Sequence, residues 1–165
     1  MQSLSNMPIE NLGKKMQGTD EYVWDHFQES VKMSTYLLAF VVAKFDFTEA
    51  TGANNVRYRI WSDPNLSEQT QYALEIGPKI LEFFEKFFSI PYPLPKLDTI
   101  AVPDFGAGAM ENWGLIVFKD SFLLYKEGVS SVKSKHLIAH ITAHELAHQW
   151  FGEKNHIKQQ DIDKT

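Results

Sequence analysis

Three observations predict an α+β fold. Strand-like segments fill the chain before Asp63. Two long stretches, from Ser67 to Phe88 and from Ser134 to about Phe151, carry helical spacing. Two more strand-like segments lie between them. The 165 residues fit one domain, or one and a piece.

In chain order, residues 1–33 are punctuated by Pro8, Gly13 and Gly18 and weighted by Tyr22, Trp24 and Phe27, which reads as loops and short strands. Ser34 to Phe47 is rich in Val, Leu, Phe and Tyr and suits a strand buried on both faces. Thr51 to Asn54 forms a turn. Val56, Tyr58 and Ile60 then alternate with Arg57, Arg59 and Trp61, as in a half-buried strand ended by Asp63-Pro64-Asn65. Ile76, Ile80, Phe83, Phe84 and Phe87 form one apolar helical stripe, interrupted at Gly77-Pro78, where a kink or restart is expected. Pro91, Pro93 and Pro95 make a rigid connector. Thr99 to Val102 and Leu115 to Phe118 read as strands flanking a Gly/Ala-rich segment from Gly106 to Gly114.

Composition narrows the function classes. Hydrophobic residues make up 44% of the chain, enough for a core and too many for a disordered one. Sixteen basic and 21 acidic residues give a net charge of −5 with no basic block, which argues against nucleic acid as a partner. The longest apolar run, Tyr36 to Ala43, is far below the roughly 20 residues of a membrane span, and no signal peptide is visible. Cysteine is absent, which removes disulfides, thiolate ligands and a cysteine nucleophile.

Five of the six histidines fall between His136 and His156. Among them is the run His144-Glu145-Leu146-Ala147-His148. Helical residues four apart share a face, with Cβ atoms about 5–6 Å apart, so both imidazoles can meet one zinc ion at about 2.0–2.1 Å. Glu145 is rotated about 100° from His144 and stands beside the metal, placed to act as general base toward water. A chance pair of histidines explains this run poorly, because the glutamate directly follows the first one. His136 and His140 extend the four-residue spacing, but neither is followed by a carboxylate. They read as surface or supporting histidines. A zinc hydrolase needs a third protein ligand. The metzincin pattern fails, with Phe151 and Lys154 at its glycine and histidine positions. His156, Asp161 and Asp163 lie downstream at no recognised spacing. The Gly106–Gly114 segment is no phosphate loop, because no Gly-Lys-Ser/Thr follows.

Gly108-Ala109-Met110-Glu111-Asn112, followed by Trp113-Gly114, precedes His144 to Gly152 by about thirty residues. This pair of motifs resembles the zinc aminopeptidases of the aminopeptidase N family, the gluzincins. Ser5-Asn6-Met7-Pro8, Met33 to Leu37, Ile90 to Lys96 and Pro103-Asp104-Phe105 agree, so the resemblance covers residues 5–152. It implies zinc held by His144 and His148, Glu145 as general base, and Glu111 binding the free α-amine of a peptide substrate. Gly108, Ala109, Met110 and Asn112 would complete the substrate-binding segment, the first two through their backbone. It also implies a layout: residues 1–57 as the C-terminal part of an N-terminal β domain, 58–152 as the first lobe of a thermolysin-like catalytic domain, and 153–165 as a divergent tail.

The family's third zinc ligand, a glutamate, would fall at residue 167, and its downstream tyrosine lies further on. The expectation is therefore a truncated zinc aminopeptidase, inactive or weakly active by itself. The alternatives are a non-catalytic fragment that associates with a full-length relative, or an unstable gene-model product. Relatives include plasma-membrane ectoenzymes, extracellular and cytoplasmic forms.

Overall fold

The computed structural model describes residues 1–15 and 23–151. Its elements are β1 (Gln2–Ser5), β2 (Ile9–Lys15), β3 (Val23–Phe27), β4 (Phe40–Ala43), β5 (Asp46–Thr51), β6 (Arg57–Ser62), α1 (Gln71–Phe88), β7 (Lys96–Val102), β8 (Ala109–Met110), β9 (Leu115–Lys119) and α2 (Val132–His148). The fold is α+β. β1 pairs with β4, and β2 with β3, as antiparallel ribbons; the other strands form one sheet in the order β5-β6-β7-β9-β8. The β6–β7 and β7–β9 pairs are parallel, and the two outer pairs antiparallel. A parallel pair needs a long crossover, and α1 supplies it between β6 and β7.

The central strands are buried on both faces. On one face Tyr58, Ile60, Leu97, Ile116 and Phe118 pack under the two helices, against Ala73 and Leu81 of α1 and Leu146 of α2. On the other, Trp61, Ile100 and Leu115 meet Leu4 and the half-buried Val41, Phe45 and Phe47. The period-2 alternation of β7 and β9 assigns each residue to its face.

One ionic cluster is sealed beneath the N-terminal segments. The Arg59 guanidinium grips Asp98 at 2.6 and 2.7 Å, and the Trp61 indole donates to the same carboxylate at 3.1 Å. Lys96 reaches Asp98 at 2.8 Å and also donates to the carbonyls of Ser5 (2.6 Å) and Gly114 (2.7 Å). Burial pulls the Lys96 ammonium down to about 8, against the opposing charge of Asp98. Three acceptors on one ammonium tie the N-terminal ribbon to the Gly114 loop.

Three sequence expectations change. The single strand expected over Ser34 to Phe47 is a short 3-10 turn (Thr35–Leu37), then β4, a break, and β5. Its first part pairs with β1 and its last part with β6, so one apolar run serves two sheets. The helix α1 runs through Pro78 without a restart. Its inward face is Ala73, Gly77, Leu81 and Glu85, while Phe83 and Phe87 of the expected stripe are exposed. The small residues decide this: a Cβ on Gly77 would sit 2.4 Å from the Tyr58 ring, so the glycine lets the helix lie on the sheet. Third, Trp61 is buried, because residues from the N-terminal ribbon and β5 cover what was expected to be the open face of β6.

Candidate metal-binding active site

α2 starts at Ser131, whose hydroxyl accepts from the Ser134 amide at 3.0 Å as an N-cap. Ile138, Thr142 and Leu146 are buried, Leu146 in the core between the sheet and α1, while His136, His140 and His144 are exposed. Trp150 follows the last turn and is buried at 2% exposure, its indole donating to the Ile90 carbonyl at 2.9 Å. The helix end is therefore anchored where the second histidine stands.

His144 and His148 present their Nε2 atoms to each other at 3.2 Å, with the rings nearly perpendicular at 87°. Two Zn–N bonds of about 2.0–2.1 Å at a tetrahedral angle span about 3.3 Å, so the pair fits one zinc ion. No third metal-ligating side chain joins them among the described residues, and His156, Asp161 and Asp163 lie outside those residues.

Glu145 is buried at 6% exposure, and its Oε2 has no hydrogen-bond partner among the described residues. Burial first, and then the negative charge of Glu111, push its carboxyl up to about 7. A carboxylate poised near neutrality can take a proton and return it.

Glu111 reaches this spot from the edge of the sheet. β8 pairs antiparallel with β9, Met110 opposite Val117, and hands the chain to Glu111. Gly108 makes the approach possible with φ +84°, where a Cβ would meet the Phe122 ring at 2.8 Å. The result is a cleft of about 410 Å³. Gly108, Ala109 and Glu111 line one side, His144, Glu145 and His148 the other. His140 and Phe122 also line it; His136 does not. Met110 is half-buried and outside the lining. Asn112 is buried and donates to the Tyr36 carbonyl at 3.4 Å.

Two supporting side chains were not singled out from sequence. Asn6 is buried and donates to the carbonyls of Leu37 and Trp113, both at 2.8 Å, while accepting from the Ala39 amide at 2.9 Å. Gly114 (φ +85°) lies so close that a Cβ there would stand 2.4 Å from the Asn6 carbonyl. Gln149, directly after the second histidine, contacts the backbone of the Glu111 segment. Its position inside a recognised motif is the only signal the sequence offers for it.

Comparison with known proteins meets this geometry from the other side. The chain is 47% identical over 150 residues to Endoplasmic reticulum aminopeptidase 2 of Bos taurus, covering 91% of this chain and 15% of that protein. It is 46% identical over 150 residues to Aminopeptidase M1 of Arabidopsis thaliana, covering 91% and 17%. It is 50% identical over 133 residues to Aminopeptidase N of Haemonchus contortus, covering 81% and 14%. The chain thus spans less than a fifth of the length of these relatives. The Peptidase family M1 domain matches residues 72–159, from the start of α1 past the histidine helix. With that match over more than half its length, this chain belongs to peptidase family M1.

Proposed function

We propose that this chain carries the zinc-binding and amine-recognising half of an aminopeptidase site, with peptides bearing a free N-terminal amine as substrates. The observation that carries the reading is the histidine pair at 3.2 Å sharing one cleft with two carboxylates. His144 and His148 would hold zinc, which when bound supplies Lewis acidity toward a carbonyl and makes water more acidic. Glu145 would take a proton from water at its unpartnered Oε2 and later give it to the leaving amine. Glu111 would pair with the substrate ammonium, and its fixed distance from the histidines would admit one residue before the scissile bond. Gly108 and Ala109 would align the substrate backbone, and Met110 and Asn112 would hold that segment in place. The names of the relatives support the substrate class.

Two histidines are the donors the described residues supply, so zinc is held weakly and the isolated chain should turn over aminoacyl amides at background rate. Zinc stoichiometry by equilibrium dialysis, with a fluorogenic aminoacyl substrate, tests both halves. Zinc binding that survives removal of both His144 and His148 imidazoles would sink the assignment. Turnover abolished by Glu145→Gln and by a chelator would show that the chain is a complete catalyst.

A second reading, a non-catalytic fragment that associates with a full-length relative, is favoured by exposed Phe83, Phe87 and Phe151. Such a surface suits burial against another chain. Sedimentation of the chain with and without a relative separates the two readings.

A further inference from the structure

Gln149 is buried at 2% exposure and sits one residue past the second histidine. Its side-chain amide donates to the Glu111 carbonyl at 3.2 Å and lies 3.5 Å from the Glu145 carbonyl. Its carbonyl oxygen accepts from the Gly114 amide at 3.4 Å. One side chain therefore touches the backbone of both acidic residues in the cleft. It also meets the loop that closes the Glu111 segment, 35 residues away in sequence.

The chemistry of the cleft makes such a tether necessary. Glu111 and Glu145 line opposite sides of one cleft, and two carboxylates facing one space repel when both are charged. β8 is only two residues long and lies at the sheet edge, so its own ladder holds Glu111 weakly. A neutral amide can donate to the Glu111 carbonyl and accept from the Gly114 amide without adding charge. A lysine or glutamate of similar length would change the electrostatics it is meant to leave alone.

We propose that Gln149 is a positioning residue: it sets the spacing between the Glu111 segment and the histidine pair, and so sets how strictly a ligand must carry a free α-amine. This rests on the aminopeptidase reading. Gln149 itself is not part of the cleft lining; it acts through the backbone of Glu111.

The test uses the full 165-residue chain in excess zinc. Calorimetry compares leucine hydroxamate, which has a free amine, with its N-acetyl derivative. Gln149→Met keeps the volume and removes the hydrogen bonds; Gln149→Leu removes them with a second uncharged side chain. Both variants should lower the preference for the free amine by about tenfold. Zinc affinity should stay within about twofold, because the histidines are untouched. A purely structural role would move zinc affinity and both ligands together. In the unmodified chain the Gly114 amide should exchange slowly with solvent, and faster in Gln149→Met. If the unmodified chain prefers the amine and both variants keep that preference, the positioning role is overturned. Should neither variant fold, free exchange of the Gly114 amide in the unmodified chain would overturn it instead. If the unmodified chain binds both hydroxamates equally, the aminopeptidase reading has failed and the proposal falls with it.

Discussion

The two long helices have nearly the same length and opposite outer faces. α1 has 18 residues and lines its solvent side with charge pairs one turn apart, Glu75 with Lys79 at 3.0 Å and Glu82 with Lys86 at 2.5 Å. Such pairs support an isolated helix by a few tenths of a kcal/mol each. α2 has 17 residues, and its outer side carries a row of imidazoles instead. Among the described residues, no charge pair one turn apart supports that side. α2 is held by its N-cap, by Lys135 lying 4.8 Å over the Tyr72 ring and 5.0 Å over Tyr125, by its buried stripe, and by Trp150 past its end. The contrast teaches that a helix secured from behind and at both ends is free to present chemistry rather than stability in front.

The largest expected effect lies in α1. Gly77→Ala places a methyl 2.4 Å from the buried Tyr58 ring and should cost about 3 kcal/mol in urea unfolding. The next lies on the buried flank of α2. A carboxyl held near 7 binds its proton more tightly in the folded state than unfolded, so that stability is present at low pH and lost as pH rises through about 7. Glu145→Gln should therefore stabilise the metal-free protein by about 2–3 kcal/mol at pH 8 and leave it unchanged at pH 4. Thermal melts at the two pH values check the sign; an equal effect at both would mean Glu145 is not destabilised by its charge. The exposed front of α2 should behave oppositely. His144→Ala should change metal-free stability by less than about 0.5 kcal/mol yet weaken zinc binding at least about 100-fold. If it destabilised the chain as much as is expected of Gly77→Ala, the contrast between the helices would be lost. Smallest of all, Phe83→Ser on the exposed side of α1 should leave unfolding within about 0.5 kcal/mol. Light scattering should register fewer aggregates, since an apolar surface has been removed.

Legibility followed the range of the physics. The histidine helix could be read because a metal pair one turn apart is a local property of five residues. The two strands around Gly106 to Gly114 could be read because their apolar runs are bounded by glycine and proline. The exposure of Phe83 and Phe87 could not, because helical spacing defines a stripe but not which stripe meets the sheet. That choice fell to Gly77 and Tyr58, 19 positions apart. Likewise, residues 34–47 look uniform in composition, and only their partners, β1 and β6, divide them. In the candidate site, His144, Glu145, His148 and Glu111 stood out within their motifs. The tether between those motifs did not, because Gln149 has its role only once the Glu111 segment lies against the helix.

Asn6 joins segments that the ribosome releases far apart in time. Its amide waits for Trp113, 107 positions later. At about 5–20 residues per second that is a delay of roughly 5–20 s. During it the Leu37 carbonyl and Ala39 amide can already be satisfied by Asn6, so the N-terminal ribbon can form as an early platform. The loop after Glu111 then docks onto a ribbon made about a hundred residues earlier. The Glu111 edge of the cleft is thus completed late, by closure of the chain onto the earlier Asn6 segment. A nascent chain held before Trp113 would carry the finished platform and an unset loop.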